Sequence, residues 1–284
     1  MDTCLRCFSY ACLFALSAGQ FLTEEVDSHG GLSMLQRQAA IPKPWESNVY
    51  IIGNYHKSGV HMTGGIFFKI FFSLGMTTSS AGNMVYPCSL LNTCFNPDAH
   101  VLQVTDMFDP SYAQKVREKH QKPVFASIAV RDPLMMVASA YCYHHEGQEP
   151  LNANFPSKVI KQLGFEEGTN FTAQRMLPFI HKMADSFEDP SIHAIKFERL
   201  VESSESFDLE VKKLIDFMFP KLLSSSQRQA ALEASWSYDL RRNNLDPGHT
   251  NSKDCEQTAL KATDKMDPVL LRSLHELRER LGYH

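Results

Sequence analysis

No long run of lysine or arginine occurs in this sequence, and its formal net charge is -4 with histidine neutral. A dedicated nucleic-acid binder needs a basic stripe to offset phosphate charge, so that class is set aside. No internal repeat is present, which removes solenoids and arrays. The seven cysteines do not have the spacing of a zinc site. Long apolar stretches are missing too. The run at residues 8–16 is short of the roughly 20 residues that cross a bilayer, although residues 5–22 would serve as a short signal-anchor.

What is present points to one α/β domain. With 43% hydrophobic residues in a chain of 284, a single large core can be buried. The start has one early arginine, the apolar run, and then small Ser17, Ala18 and Gly19, the layout of a secretory signal. We therefore expect a signal peptide or short signal-anchor over residues 1–22, a polar linker or arm over 23–47, and the main domain over 48–284. The chain is expected in the secretory pathway, in the Golgi lumen or secreted, with membrane contact only through such an anchor. Cys4, Cys7 and Cys12 fall in the leader. Cys88, Cys94, Cys142 and Cys255 remain, an even number able to pair in an oxidising lumen, with the connectivity open. Asn170 heads an Asn-Phe-Thr glycosylation triplet.

From residue 49 onward, strand-like and helix-like segments alternate. Strands are expected at residues 49–52, 101–104, 124–130 and 192–197. Helices are expected after Met62, over 111–120, from Leu134, over 209–219 and over 227–241, with a last one capped by Asp267 and opened by Pro268. Such alternation favours a mainly parallel sheet with helical crossovers. Between the first strand and its helix lies "HKSG", His56 to Gly59. A turn with a lysine, a glycine and free N–H groups at a helix start is a natural anion site. It is not a nucleotide-binding P-loop, because His56 stands where that motif needs glycine before the lysine. The second strand-turn-helix, "SIAVRDPLMMVASAYCYHH" at residues 127–145, brings Arg131 to the same sheet edge and Ser139 about two turns into the helix, a pairing suited to a second phosphate.

"HKSG" after a strand, "RDP" with a serine eight residues after the arginine, "FERL" at residues 197–200 and the terminal "LGY" together resemble a sulfotransferase. The resemblance implies a P-loop-like three-layer fold and the co-substrate 3′-phosphoadenosine 5′-phosphosulfate. It places the 5′-phosphosulfate against Lys57, Ser58 and Gly59, and the 3′-phosphate against Arg131 and Ser139. It implies no metal, and an acceptor hydroxyl on a glycan or a small molecule, with Tyr86, Phe95, Phe108 and Tyr112 as candidate cleft residues. Val60 and His61 stand where the family commonly has two threonines, leaving their backbone N–H groups and Thr63 to serve the phosphosulfate. The family's basic closing loop corresponds to Arg241 or Arg242. For the catalytic base, Asp106 comes first and His100 second. Glu198 is expected to be structural. Of the adjacent His144 and His145, one is expected to line the acceptor cleft and the other to face solvent. The alternatives are a non-catalytic nucleotide-binding relative and, further off, a P-loop-type kinase.

Overall fold

Fully buried β-strands need hydrogen-bonded neighbours on both sides, and residues 49–54 supply such a strand: all six are buried. In the computed structural model, which describes residues 43–77, 100–106, 108–150, 152–243 and 251–284, this segment is β1 (Val49–Asn54), preceded by the short α1 (Pro44–Ser47). There follow α2 (Val60–Ser73), β2 (Val101–Thr105), α3 (Pro110–His120), β3 (Val124–Val130), α4 (Pro133–His145), α5 (Ser157–Ile160), α6 (Phe165–Phe187) and β4 (Ile192–Lys196). The chain ends in helices: α7 (Phe197–Glu202), α8 (Ser204–Met218), α9 (Ser225–Ser235), α10 (Leu240–Asn243), α11 (Lys253–Thr263) and α12 (Pro268–Arg280). The described residues belong to one compact unit, Ile41–His284.

The sheet has four strands in the order β2-β1-β3-β4, and every pairing is parallel. Alternation sorts the side chains. Val49, Ile51, Leu102, Val104, Ile128 and Val130 enter one core with α3, α4, α6, α11 and α12. Tyr50, Ile52, Val101 and Ile195 enter another with α2, α8 and α9. Helices thus flank the sheet on both faces, as a parallel sheet requires.

Several sequence expectations shift. The expected strand over 192–197 stops at Lys196, and Phe197 opens α7, so "FERL" is helical. The expected helix over 227–241 breaks at Trp236–Tyr238, a 3₁₀ turn. The 23-residue α6 was not legible, because Pro178 lies inside it and two thirds of its buried stripe is small or polar: Gly168, Thr169, Thr172, Ala173, Ala184 and Ser186. Asn170 sits within α6, and its amide oxygen accepts from Asp267 N at the start of α12. The arm ends earlier than expected, since Trp45 is buried against Phe71. Phe108 is no cleft residue either: its ring packs where a Cβ on Gly53 would be, 2.6 Å away. The leader, Cys88, Cys94, Tyr86 and Phe95 lie outside the described residues. Of the remaining pair, Cys142 in α4 and Cys255 in α11 form a disulfide.

Gly59 cannot carry a side chain. Its φ is +98°, and an added Cβ would come 2.4 Å from the Phe197 ring. Gly59→Ala is expected to cost about 1–3 kcal/mol through backbone strain and the clash. Urea unfolding checks this, and an unchanged midpoint would mean that the loop is soft enough to move off Phe197.

Candidate functional site

Four adjacent strand ends each hand on to a polar residue. Asp106 follows β2, Lys57 follows β1, Arg131 follows β3 and Glu198 lies just after β4, in sheet order. The register sets Asn54 beside Thr105 and Val130 beside Lys196, so these residues share the carboxyl edge. Sites in open parallel sheets form at this edge. His100 is at the opposite edge, where its carbonyl accepts from Tyr50 N and its ring contacts Lys122 and His120. Six residues of strand, about 20 Å, separate it from Asp106.

The β1–α2 loop is built to close on itself. Ser58 N donates to Tyr55 O (2.9 Å), and Ser58 Oγ accepts from Tyr55 N (3.0 Å). Ser58 is fully buried, so its hydroxyl serves the turn. Thr63 is likewise used internally: its Oγ1 donates to Gly59 O (2.9 Å) and accepts from Asn54 Nδ2 (2.7 Å). The expected compensation by Thr63 for the missing threonines has no free hydroxyl behind it. What the loop does offer is the start of α2. Among described helices of eight residues or more, α3, α4, α8, α9, α11 and α12 have capping side chains, and α6 has Glu166 and Glu167 in its first turn. Only α2 has neither a cap nor an acid there. Its first N–H groups, beginning at Val60 and His61, retain the positive end of the helix dipole.

Two cations stand beside it. Arg131 Nη1 donates to Lys57 O (3.0 Å), and the guanidinium lies over the Phe197 ring (4.7 Å). Lys57 has φ +65°, and its Nζ rests 3.5 Å from the centre of the Tyr143 ring. Burial, and then the charge of Arg131, hold the Lys57 ammonium down at about 8, against the opposing pull of Glu149, Glu256 and Glu146. Burial lowers Arg131 as well, with Glu256, Glu198, Tyr283 and Asp132 opposing. Both side chains are half-buried, and an anion between them would relieve the repulsion of two like charges on one sheet edge.

Asp106 has φ +64°, fixed by its N–H donating to Asn54 O (2.7 Å). Its carboxyl is pushed up to about 7 by burial first and by Glu149 second, while the His56 N–H and Lys182 pull the other way. Oδ1 is buried with no hydrogen-bond partner. A carboxyl poised near neutrality with a spare oxygen is equipped to take a proton.

The remaining expected residues are spoken for. Ser139 is buried, and Asn251 Nδ2 donates to its carbonyl (2.9 Å) and to its Oγ (3.0 Å), as well as to Glu256 (2.8 Å). The Cys142–Cys255 bridge ties α4 to α11 beside this contact. Arg241 Nε donates to Val201 O, and Arg242 pairs with Asp208 and Asp239 while stacking on Trp236. Neither arginine joins Lys57. Glu198 is structural: it accepts from Asp132 N and from the Tyr283 hydroxyl, while Arg278 grips Asp132. Sequence reasoning missed Tyr143, although it lies in the quoted "YCYHH", and missed that His144 is fully buried against Phe155 with its Nε2 2.9 Å from that of His56. His145 is half-buried beside Tyr141. No model of a known protein family matches the chain, and no curated protein matches it either.

Proposed function

We propose that this chain is a sulfotransferase with a P-loop-like three-layer fold, moving a sulfuryl group from 3′-phosphoadenosine 5′-phosphosulfate to an acceptor hydroxyl on a glycan or small molecule. One observation carries the reading: Arg131 holds the Lys57 carbonyl at the uncapped, acid-free start of α2, and Asp106, its carboxyl raised by burial, follows the neighbouring strand on the same carboxyl edge of the parallel sheet. The N–H groups of α2 and Lys57 suit the phosphosulfate, and Arg131 suits a phosphate of the same nucleotide.

In this scheme the acceptor oxygen attacks sulfur in line with the departing phosphate oxygen. A new O–S bond forms as the bridging S–O bond breaks. Asp106 takes the hydroxyl proton, and Lys57 offsets the charge that builds on the leaving 3′,5′-bisphosphate. Positioning and charge stabilisation do most of the work in such a loose transfer. A lumenal location agrees with the disulfide. A second reading, a nucleotide binder without turnover, is favoured by the inward-turned Ser58 and Thr63 hydroxyls.

Titration with 3′-phosphoadenosine 5′-phosphate and, separately, with magnesium-ATP tests the ligand class. Tight binding of the first and none of the second is expected. The reverse would point to the kinase class. Turnover across an acceptor panel with labelled donor then separates enzyme from binder. The same titration has a proton signature. An anion beside Lys57 restores its charged form, so at pH 8, where about half of it is neutral in the free protein, binding should take up a fraction of a proton. Calorimetry in buffers of different ionisation heat reads this uptake. Lys57→Arg, whose guanidinium stays charged, should bind the nucleotide with the uptake largely gone; an unchanged uptake would put the titrating group elsewhere.

A further inference from the structure

A second cluster lies next to this edge, apart from the groups assigned to the transferred atoms. His56 and His144 point their Nε2 atoms at each other across 2.9 Å. Both rings lie nearly parallel to Phe155, with centroids at 4.5 and 4.8 Å and interplanar angles of 16° and 6°. The two imidazoles are thus clamped and buried. The carboxylate of Glu149 joins them, so that one ligating atom from each of the three residues lies within 4.8 Å of the others. Glu149 is held for the purpose. Its backbone adopts φ +47°, Asn152 Nδ2 donates to its Oε2 (3.0 Å), and Asn152 N donates to its carbonyl (3.0 Å).

We propose that His56, His144 and Glu149 form a binding site for a divalent transition ion of the zinc type. Two imidazoles and one carboxylate are the donor set that such ions prefer, whereas magnesium and calcium take oxygen ligands. With metal–nitrogen bonds of about 2.0–2.1 Å in a tetrahedron, the two nitrogens stand about 3.3 Å apart. The pair needs to open by a few tenths of an ångström. A carboxylate already fixed by Asn152 supplies the outer support that metal ligands depend on. Lys57 is the opposing charge nearby, and the carboxylates of Glu149, Glu256 and Glu146 offset it.

The ion would clasp the β1–α2 loop to α4. His56 immediately precedes Lys57, and His144 immediately follows Tyr143, so the contacts His56–His144 and Lys57–Tyr143 are neighbours. Fixing one fixes the other. The site does not depend on the transfer reading, since its test uses the ion alone.

The full chain, freed of metal by a chelator and dialysed, is titrated with Co²⁺ followed by visible absorption, and with Zn²⁺ in competition. One equivalent of Co²⁺ with tetrahedral d–d bands, displaced by Zn²⁺, is expected, and Zn²⁺ should raise the melting temperature. Glu149→Gln, at an exposed position, should weaken binding by about tenfold or more, and His144→Gln should abolish it. No saturable binding would overturn the proposal and leave a hydrogen-bonded histidine pair. So would an unchanged affinity in Glu149→Gln, which needs no rearrangement of the core to fold.

Discussion

Asp106→Asn is expected to lower sulfuryl transfer by about 10²- to 10⁴-fold while leaving nucleotide binding nearly intact. The carboxamide keeps the shape and still accepts the His56 N–H, but it has no basic oxygen to take the acceptor proton. The same substitution should make the protein more stable. In the folded chain the Asp106 carboxyl titrates at about 7, raised from 3.8. The folded state therefore holds a proton that the unfolded chain releases, and stability falls as pH rises from about 4 to 7. Asn carries no charge at any pH, so this loss disappears. Denaturant unfolding at pH 5 and pH 8 should show a smaller difference for the variant than for the parent. Loss of turnover with gain of stability is the mark of a residue kept for function against its folding cost. His100→Ala, at the far edge beside Lys122, should leave turnover close to the parent. An active Asp106→Asn with a dead His100→Ala would mean that the base is misassigned.

Local signals carried most of the sheet and little of the side-chain detail. Strands β1, β2 and β3 were readable because buried parallel strands are short, β-branched or aromatic, and bounded by turn residues. Asp267 followed by Pro268 marked α12, while the helix expected from Leu134 starts one residue earlier, at Pro133, capped by Asp132. Lys57, Arg131 and Asp106 could be placed on one edge because strand ends are legible and parallel sheets gather their ends together. Which hydroxyls stay open was not legible. Ser58 and Thr63 look like ligands in a line of letters, but their bonds to Tyr55, Gly59 and Asn54 depend on a loop with two residues at positive φ. Ser139 meets Asn251 from 112 positions away, and no spacing rule reports that. The His56–His144 pair was hidden for the same reason: its two halves are 88 positions apart and meet only because α4 packs beside the loop.

Lys57→Ala is expected to reduce turnover by about 10²- to 10³-fold, the scale for removing a preorganised charge stabiliser, with a smaller loss of nucleotide affinity. The reason lies in when the charge is needed. The departing bisphosphate gains negative charge only as the S–O bond breaks, so an ammonium aimed at that oxygen acts more on the transition state than on the bound donor. Arg131→Ala is expected to act chiefly on nucleotide affinity. The two effects cannot be independent, however, because Arg131 Nη1 holds the carbonyl of Lys57 at 3.0 Å, and losing the guanidinium frees the backbone that presents the ammonium. A cycle of the two single variants and the double variant should therefore be non-additive, with the double variant losing less than the product of the singles. Lys57→Ala that changes turnover by less than about threefold, together with Arg131→Ala that changes nucleotide affinity by less than about threefold, would remove the anion site from the start of α2. Strict additivity of large effects would keep the site but deny that Arg131 positions Lys57 through its carbonyl.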